Sequence, residues 1–198
     1  LPGADIDFSQ FDRLVLVACG TAHYACAVAK YWFEQIARIP VEIDVASEFR
    51  YREPPMNGRE AVMFISQSGE TADTLAALRY VKDKAASTVA IVNVAESSIS
   101  REAEFSLPIM AGPEISVAST KAFTCQLVVL GCLAILAGRQ HGAIDVTEEK
   151  RLIDALMSAP RLIGEAIKHE GDLEYASRDL AKAKDIMFLG RGSLFPLA

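Results

Sequence analysis

The chain reads as an α/β protein, a three-layer α-β-α sandwich around a parallel sheet, with the start of a second, similar subdomain near its C-terminal end. Three observations predict this. Short continuous apolar runs, at residues 14–18, 61–65 and 88–94 among others, have the composition of strands buried on both faces. Helical patterns with i, i+3, i+4 spacing alternate with them, so strand–helix units repeat and helices cover both faces of the sheet. The order apolar, apolar, small, any, Gly, hydroxyl, seen at Leu16, Val17, Ala18, Cys19, Gly20 and Thr21, returns at Phe188, Leu189, Gly190, Arg191, Gly192 and Ser193. It is either an internal repeat whose second copy has just begun or a chance match of a short motif.

The first strand, 14–18, is broken by Cys19, Gly20 and Thr21. A helix follows with Ala25, Val28, Ala29, Trp32, Phe33 and Ile36 on one face, and it stops before Pro40. Residues 41–45 form the second strand, and 47–52 a polar segment with helical character. Pro54, Pro55, Asn57 and Gly58 mark a surface loop. The third strand, 61–65, runs into a hydroxyl-rich turn and then a helix with Ala72, Leu75, Ala76 and Leu78 on one face. Strands at 88–94 and 105–110 follow, then a long helix over 119–137. After His141 and Gly142 the character changes. Residues 147–169 form a charged amphipathic helix with a break before Pro160, 172–183 a second helix, and 185–189 a new strand. The division is therefore residues 1–143 for a first complete subdomain, and 144–198 for a helical connection and the truncated beginning of a second.

With 198 residues, 51% hydrophobic content and a mean hydropathy of +0.21, the chain can bury a large core. A net charge of −6 without a basic block argues against nucleic acid or an anionic membrane surface as a partner. The apolar run 127–137, bounded by Gln126 and Arg139, is too short to span a bilayer and reads as a buried core helix. No secretory signal is visible and the composition fits a cytoplasmic domain. Because the chain starts at Leu1 rather than Met, its native N-terminus is expected to be missing. Cys19 and Cys26 are seven residues apart, as are Cys125 and Cys132, so the cysteines form neither a disulfide framework nor a zinc site. Cys26, Cys125 and Cys132 fall in helical apolar patterns as buried reduced thiols. Cys19, at a strand end, either packs or touches a ligand, and no base beside it would make it a nucleophile.

The most informative stretch is the turn Ser66, Gln67, Ser68, Gly69, Glu70, Thr71 between the third strand and its helix. Strand, tight turn and helix N-terminus bring free backbone N–H groups and the helix dipole onto an anion. Three hydroxyls add donors, and Gly69 lets the backbone approach a ligand closely. The turn has no Lys or Arg, so it is not a nucleotide P-loop. A neutral, hydroxyl-lined cradle suits a single phosphate monoester on a small polar molecule, without metal or other cofactor; the alternative is a capped helix after a serine-rich turn. Ligands of such folds bind at the carboxyl ends of the strands, where Thr21 can converge with this loop. Gly190, Arg191 and Gly192 do not make a dinucleotide fingerprint, because Phe195 stands where Gly or Ala is needed.

Four motifs in order, Ala18 to Thr21, Ala46 to Arg52, Ser66 to Thr74 and Val117 to Thr124, resemble the isomerase half of the glucosamine-6-phosphate synthase (glutamine–fructose-6-phosphate aminotransferase) family. The resemblance covers nearly the whole chain from about Leu14. It implies SIS subdomains of flavodoxin-like fold, the second opening at Gly190, Arg191 and Gly192, preceded in the family by a glutaminase domain. The family makes glucosamine 6-phosphate from fructose 6-phosphate and glutamine. By motif, the resemblance puts the sugar phosphate on Ser66, Gln67, Ser68 and Thr71, with Thr21 near the sugar and the Val117 backbone and Ser119 hydroxyl closing the other side. Ser119 is also read as the N-cap of the long helix. Lys121, in the first helical turn, opposes the dipole. Ala22 stands where the family usually has Ser, so one hydroxyl contact is lost, or is replaced by water or by His23. The family's glutamate, histidine and lysine for proton transfer and amine handling match nothing in this chain, so no catalytic residue is assigned here. The resemblance further implies a homodimer. The rival reading is a sugar-phosphate-sensing regulatory module of the same fold.

Overall fold

In the computed structural model, which describes residues 5–115 and 119–198, the apolar runs become five strands. They are β1 (Arg13–Ala18), β2 (Val41–Val45), β3 (Glu60–Ser66), β4 (Ser87–Val92) and β5 (Phe105–Pro108). All pair in parallel in the order β2-β1-β3-β4-β5, the flavodoxin-like arrangement. β1, β3 and β4 are flanked on both sides and covered on both faces, which is why nearly every residue in them is buried and why they read as unbroken apolar runs.

The period-2 alternation of strands divides the core between two faces. Leu14, Leu16, Ala18, Met63, Ile65, Val89 and Ile91 pack under α1 (Thr21–Trp32), the wide helical turn Phe33–Ala37 that continues it, and α5 (Lys121–Gln140). Val15, Val17, Val62, Phe64, Ala90 and Val92 pack under α2 (Ala46–Arg52), α3 (Ala72–Val81) and α4 (Ser98–Glu102). By length and composition alone α5 could cross a membrane, with a mean hydropathy of 1.8. It instead buries Ala122, Val129, Leu130, Leu133, Ala134 and Ala137 in this domain, as the core-helix reading expects.

Several elements differ from the sequence reading. In α3 the buried face is Thr74, Ala77, Leu78 and Val81, while Ala72 is exposed; tertiary packing rotates the face from the one that Ala72, Leu75, Ala76 and Leu78 outline. Serine-rich α4 was invisible to apolar periodicity because its five residues bury Ile99 as their one large side chain. The long charged helix, α6 (Val146–Ile167), runs through Pro160 without a break. Proline removes one N–H donor and crowds the carbonyl one turn back, but Pro160 is exposed and water can satisfy the freed carbonyl. A further helix, α7 (Glu170–Leu180), follows. The expected strand at 185–189 does not form: Met187, Phe188 and Leu189 are 83%, 71% and 87% exposed, and no described strand pairs with them. A strand is held by a neighbour's hydrogen bonds, and among the described residues this segment has none. The chain then makes a short 3-10 helix, Gly192–Leu197, that rests against α1.

Candidate functional site

β1 and β3 are neighbours, but the chain leaves them in opposite directions, to α1 on one face of the sheet and α3 on the other. That reversal opens a crevice at their carboxyl ends. The register Ala18 opposite Ile65 puts Cys19 and Ser66 at the same level at the carboxyl end of the sheet. A cleft of about 240 Å³ results, lined by Cys19, Thr21 and Ala22 from the first connection and by Ile65, Ser66, Gln67, Ser68 and Thr71 from the second. Ser119 and Gln126 line it from the start of α5. The structure thus brings Thr21, Ser66, Gln67, Ser68, Thr71 and Ser119 together; Val117 lies outside the described residues.

Local chemistry shapes the turn after β3. Gly69 has φ +66, and a Cβ there would lie 2.0 Å from the Ser97 hydroxyl, so the position excludes a side chain twice over. The Gly69 N–H donates to Ser66 Oγ at 3.0 Å, the Glu70 N–H to Ser68 Oγ at 3.2 Å, and the Ser66 and Thr71 hydroxyls are 3.1 Å apart. No side chain caps α3 or α1. Their first-turn N–H groups therefore keep the open donors and positive dipole ends that favour an anion.

The turn is also clamped from behind. The Asn93 N–H donates to the Gln67 carbonyl at 3.1 Å and the Ile99 N–H to the Gly69 carbonyl at 3.1 Å. The Ser98 N–H donates to Glu70 Oε1 at 2.7 Å, and this bond, helped by Arg101, holds the Glu70 carboxyl below its ordinary pKa. Asn93 reaches onward as well: its amide accepts from the Ala111 N–H at 2.9 Å and donates to the Gly112 carbonyl at 2.7 Å. These bonds tie the loop after β3 to the loop after β4, and that loop to the segment leading toward α5.

Two readings are corrected here. Ser119 is not the N-cap of α5: the helix begins at Lys121 after Thr120, whose own side chain does not cap it, and Glu114 Oε2 accepts from the first-turn Ala122 N–H at 3.1 Å instead. Ser119 is left free to face the cleft. His23 does not stand in for the hydroxyl lost at Ala22; its Nδ1 lies 3.4 Å from the Asp44 carbonyl oxygen, and it does not line the cleft. Lys121 donates to the Pro113 carbonyl at 2.5 Å. The thiols of Cys19, Cys125 and Cys132 are half-buried rather than fully buried like that of Cys26, which burial pushes far up in pKa.

Gln126 was missed. It reads as the polar edge of an apolar run, yet it is only 2% exposed. The helical register carried the signal, since Ala122, Val129, Leu130 and Leu133 at i−4, i+3, i+4 and i+7 are all buried. Among the described residues the lining has no Lys, Arg, His, Asp or Glu, and Cys19 is the one described residue there of metal-ligating type.

A parallel 2-1-3-4-5 sheet whose switch-point crevice carries hydroxyls and uncapped helix N-termini defines a doubly wound α/β domain of the flavodoxin-like class. The chain belongs to the SIS domain family, whose model matches residues 7–136. Among curated proteins it is similar to the glutamine–fructose-6-phosphate aminotransferase [isomerizing] of Bradyrhizobium diazoefficiens, 57% identical over 97% of this chain and 32% of that protein. The Brucella abortus protein of the same name is 55% identical over 98% of this chain and 32% of its own length. The chain thus spans about a third of the curated relatives it matches. Among solved structures, the C-terminal domain of glucosamine-fructose-6-phosphate aminotransferase from Francisella tularensis superposes with a TM-score of 0.95 at 35% identity, covering all of this chain and 56% of that one.

Proposed function

We propose that this chain is the sugar-phosphate-binding part of a glutamine–fructose-6-phosphate aminotransferase, a cytoplasmic transferase that makes glucosamine 6-phosphate for amino-sugar biosynthesis. The observation that carries the reading is the uncharged cleft at the β1/β3 switch point, where Ser66, Ser68 and Thr71 gather around an uncapped helix start. Such a site takes a phosphate monoester through N–H and O–H donors alone. Its volume, below the roughly 300–1,000 Å³ of sites for drug-sized ligands, suits a single hexose phosphate. The phosphate rests on Ser66, Gln67, Ser68 and Thr71, and the sugar extends toward Thr21, Val117 and Ser119.

The chain by itself binds without turnover. Interconverting a ketose and an aldose needs a base for the proton between C1 and C2, and the described lining offers no Glu, His or Lys. The left-handed Gly192, at φ +61 against +56 for Gly20, supports residues 144–198 as the connection to a second subdomain that begins as the first did. Exposed apolar side chains on α6, Met157, Leu162 and Ile167 among them, support a homodimer or subdomain contact there.

Titration calorimetry tests the reading. Fructose 6-phosphate binds the 198-residue chain with no response to chelator, and far more tightly than ATP or NAD. Metal-dependent ATP binding, or glucosamine 6-phosphate formed by this chain from fructose 6-phosphate and ammonia, contradicts it.

A further inference from the structure

A glutamine buried in an apolar helix face normally spends both ends of its amide on neighbours, because an unpaired polar group out of water is costly. Gln126 does not. It is 2% exposed, its Oε1 has no hydrogen-bond partner, and it lines the cleft. The helical neighbours that share its face, Ala122, Val129, Leu130 and Leu133, offer it no side-chain donor. An orphaned acceptor on a cleft wall is a feature that a ligand completes.

Its place in the fold says which part of the ligand. The phosphate-type donors belong to the turn that feeds α3, on one face of the sheet, while Gln126 comes from α5 on the other face. A ligand lying across the carboxyl ends of β1 and β3 meets the turn from one side and Gln126 from the other. The atom left unpaired on Gln126 is its carbonyl oxygen, an acceptor that repels a dianion. The amide matches a hydroxyl-bearing chain well, because it accepts from one O–H and donates to a neighbouring oxygen. Ala22, which also lines the cleft, contributes only a methyl group.

Resting on the sugar-phosphate reading above, we infer that Gln126 is a specificity-determining binding residue whose amide hydrogen-bonds the hydroxyls of the sugar, so that the cleft distinguishes a sugar phosphate from a bare phosphate. The free protein carries the unpaired oxygen as a local cost that ligand binding removes.

Calorimetry and thermal melting on the full chain test this with Gln126→Leu and the volume-conserving Gln126→Met. Both variants are expected to bind fructose 6-phosphate roughly tenfold more weakly, because the buried sugar hydroxyls lose their partner. Both bind inorganic phosphate within about twofold of the parent, and both melt at or above the parent temperature, since a buried unpaired acceptor is gone. Undiminished fructose 6-phosphate affinity in either folded variant, with Ser68→Ala still weakening it, overturns the inference and leaves the phosphate turn in place. Equal loss of both ligands also overturns it, by showing that Gln126 only maintains the shape of the cleft. No binding of fructose 6-phosphate to the parent chain overturns the site reading itself.

Discussion

Leu16 to Thr21 and Phe188 to Ser193 spell nearly the same pattern and have opposite fates. The first ends the central strand β1, with Leu16, Val17 and Ala18 fully buried between β2 and β3. The second is an exposed stretch without a ladder, although its glycine, like Gly20, has a positive φ. The difference lies in what surrounds each stretch. β1 acquires hydrogen-bond partners on both edges and helices on both faces, whereas the later stretch has no ladder among the described residues and only its end, in the 3-10 helix, touches a helix, α1. Local pattern sets the bend, and tertiary neighbours decide whether the strand exists.

The largest expected effect separates the two copies energetically. Leu16→Ala removes a buried side chain from the sheet and should cost about 2–5 kcal/mol. Leu189→Ala, at 87% exposure, should stay within about 0.5 kcal/mol. Urea unfolding of both variants checks this; comparable losses would mean that 185–189 is part of the cooperative core after all. A smaller contrast concerns the two glycines. A Cβ at Gly20 or Gly192 meets nothing within 4 Å, so alanine adds only the backbone strain of a positive φ, about 1–3 kcal/mol. At Gly20 that strain should lower the global unfolding midpoint. At Gly192 it falls on a segment that can open locally, and the midpoint should not move.

The smallest effect concerns pH. The Ser98 N–H and Arg101 hold the folded Glu70 carboxyl below its unfolded value of 4.5. Its clamp on the turn after β3 is therefore fully present above about pH 4.5 and is lost as pH falls through the lower, folded value. Glu70→Gln keeps an acceptor but no charge. It should melt slightly below the parent at pH 7, with the gap narrowing as pH falls below about 4.5. A gap that widens in acid would reverse the assigned sign.

The five strands, their parallel sense and the hydroxyl-rich turn were legible because doubly buried strands leave unbroken apolar runs and because Ser66 to Thr71 follows one of them directly. Thr21 and Ser119 were legible only as strand-end and motif positions; their meeting in one cleft depends on a strand order that no local pattern encodes. Gln126 was hidden because a single polar residue beside an apolar run looks like its boundary, and only the helical register turns it inward. Pro160 misled in the opposite direction: an exposed helix tolerates what a buried one would not.

The same contrast between built and unbuilt surfaces makes the turn after β3 the place to test the whole account. Fructose 6-phosphate should be titrated calorimetrically into the parent chain, Ser68→Ala and Thr71→Ala. Each hydroxyl lost from a charged ligand should weaken binding by about 1.5–3 kcal/mol, while the melting temperature of the free protein stays close to the parent's. Unchanged affinity in both variants would contradict the account, leaving the serine-rich turn as nothing more than the start of α3.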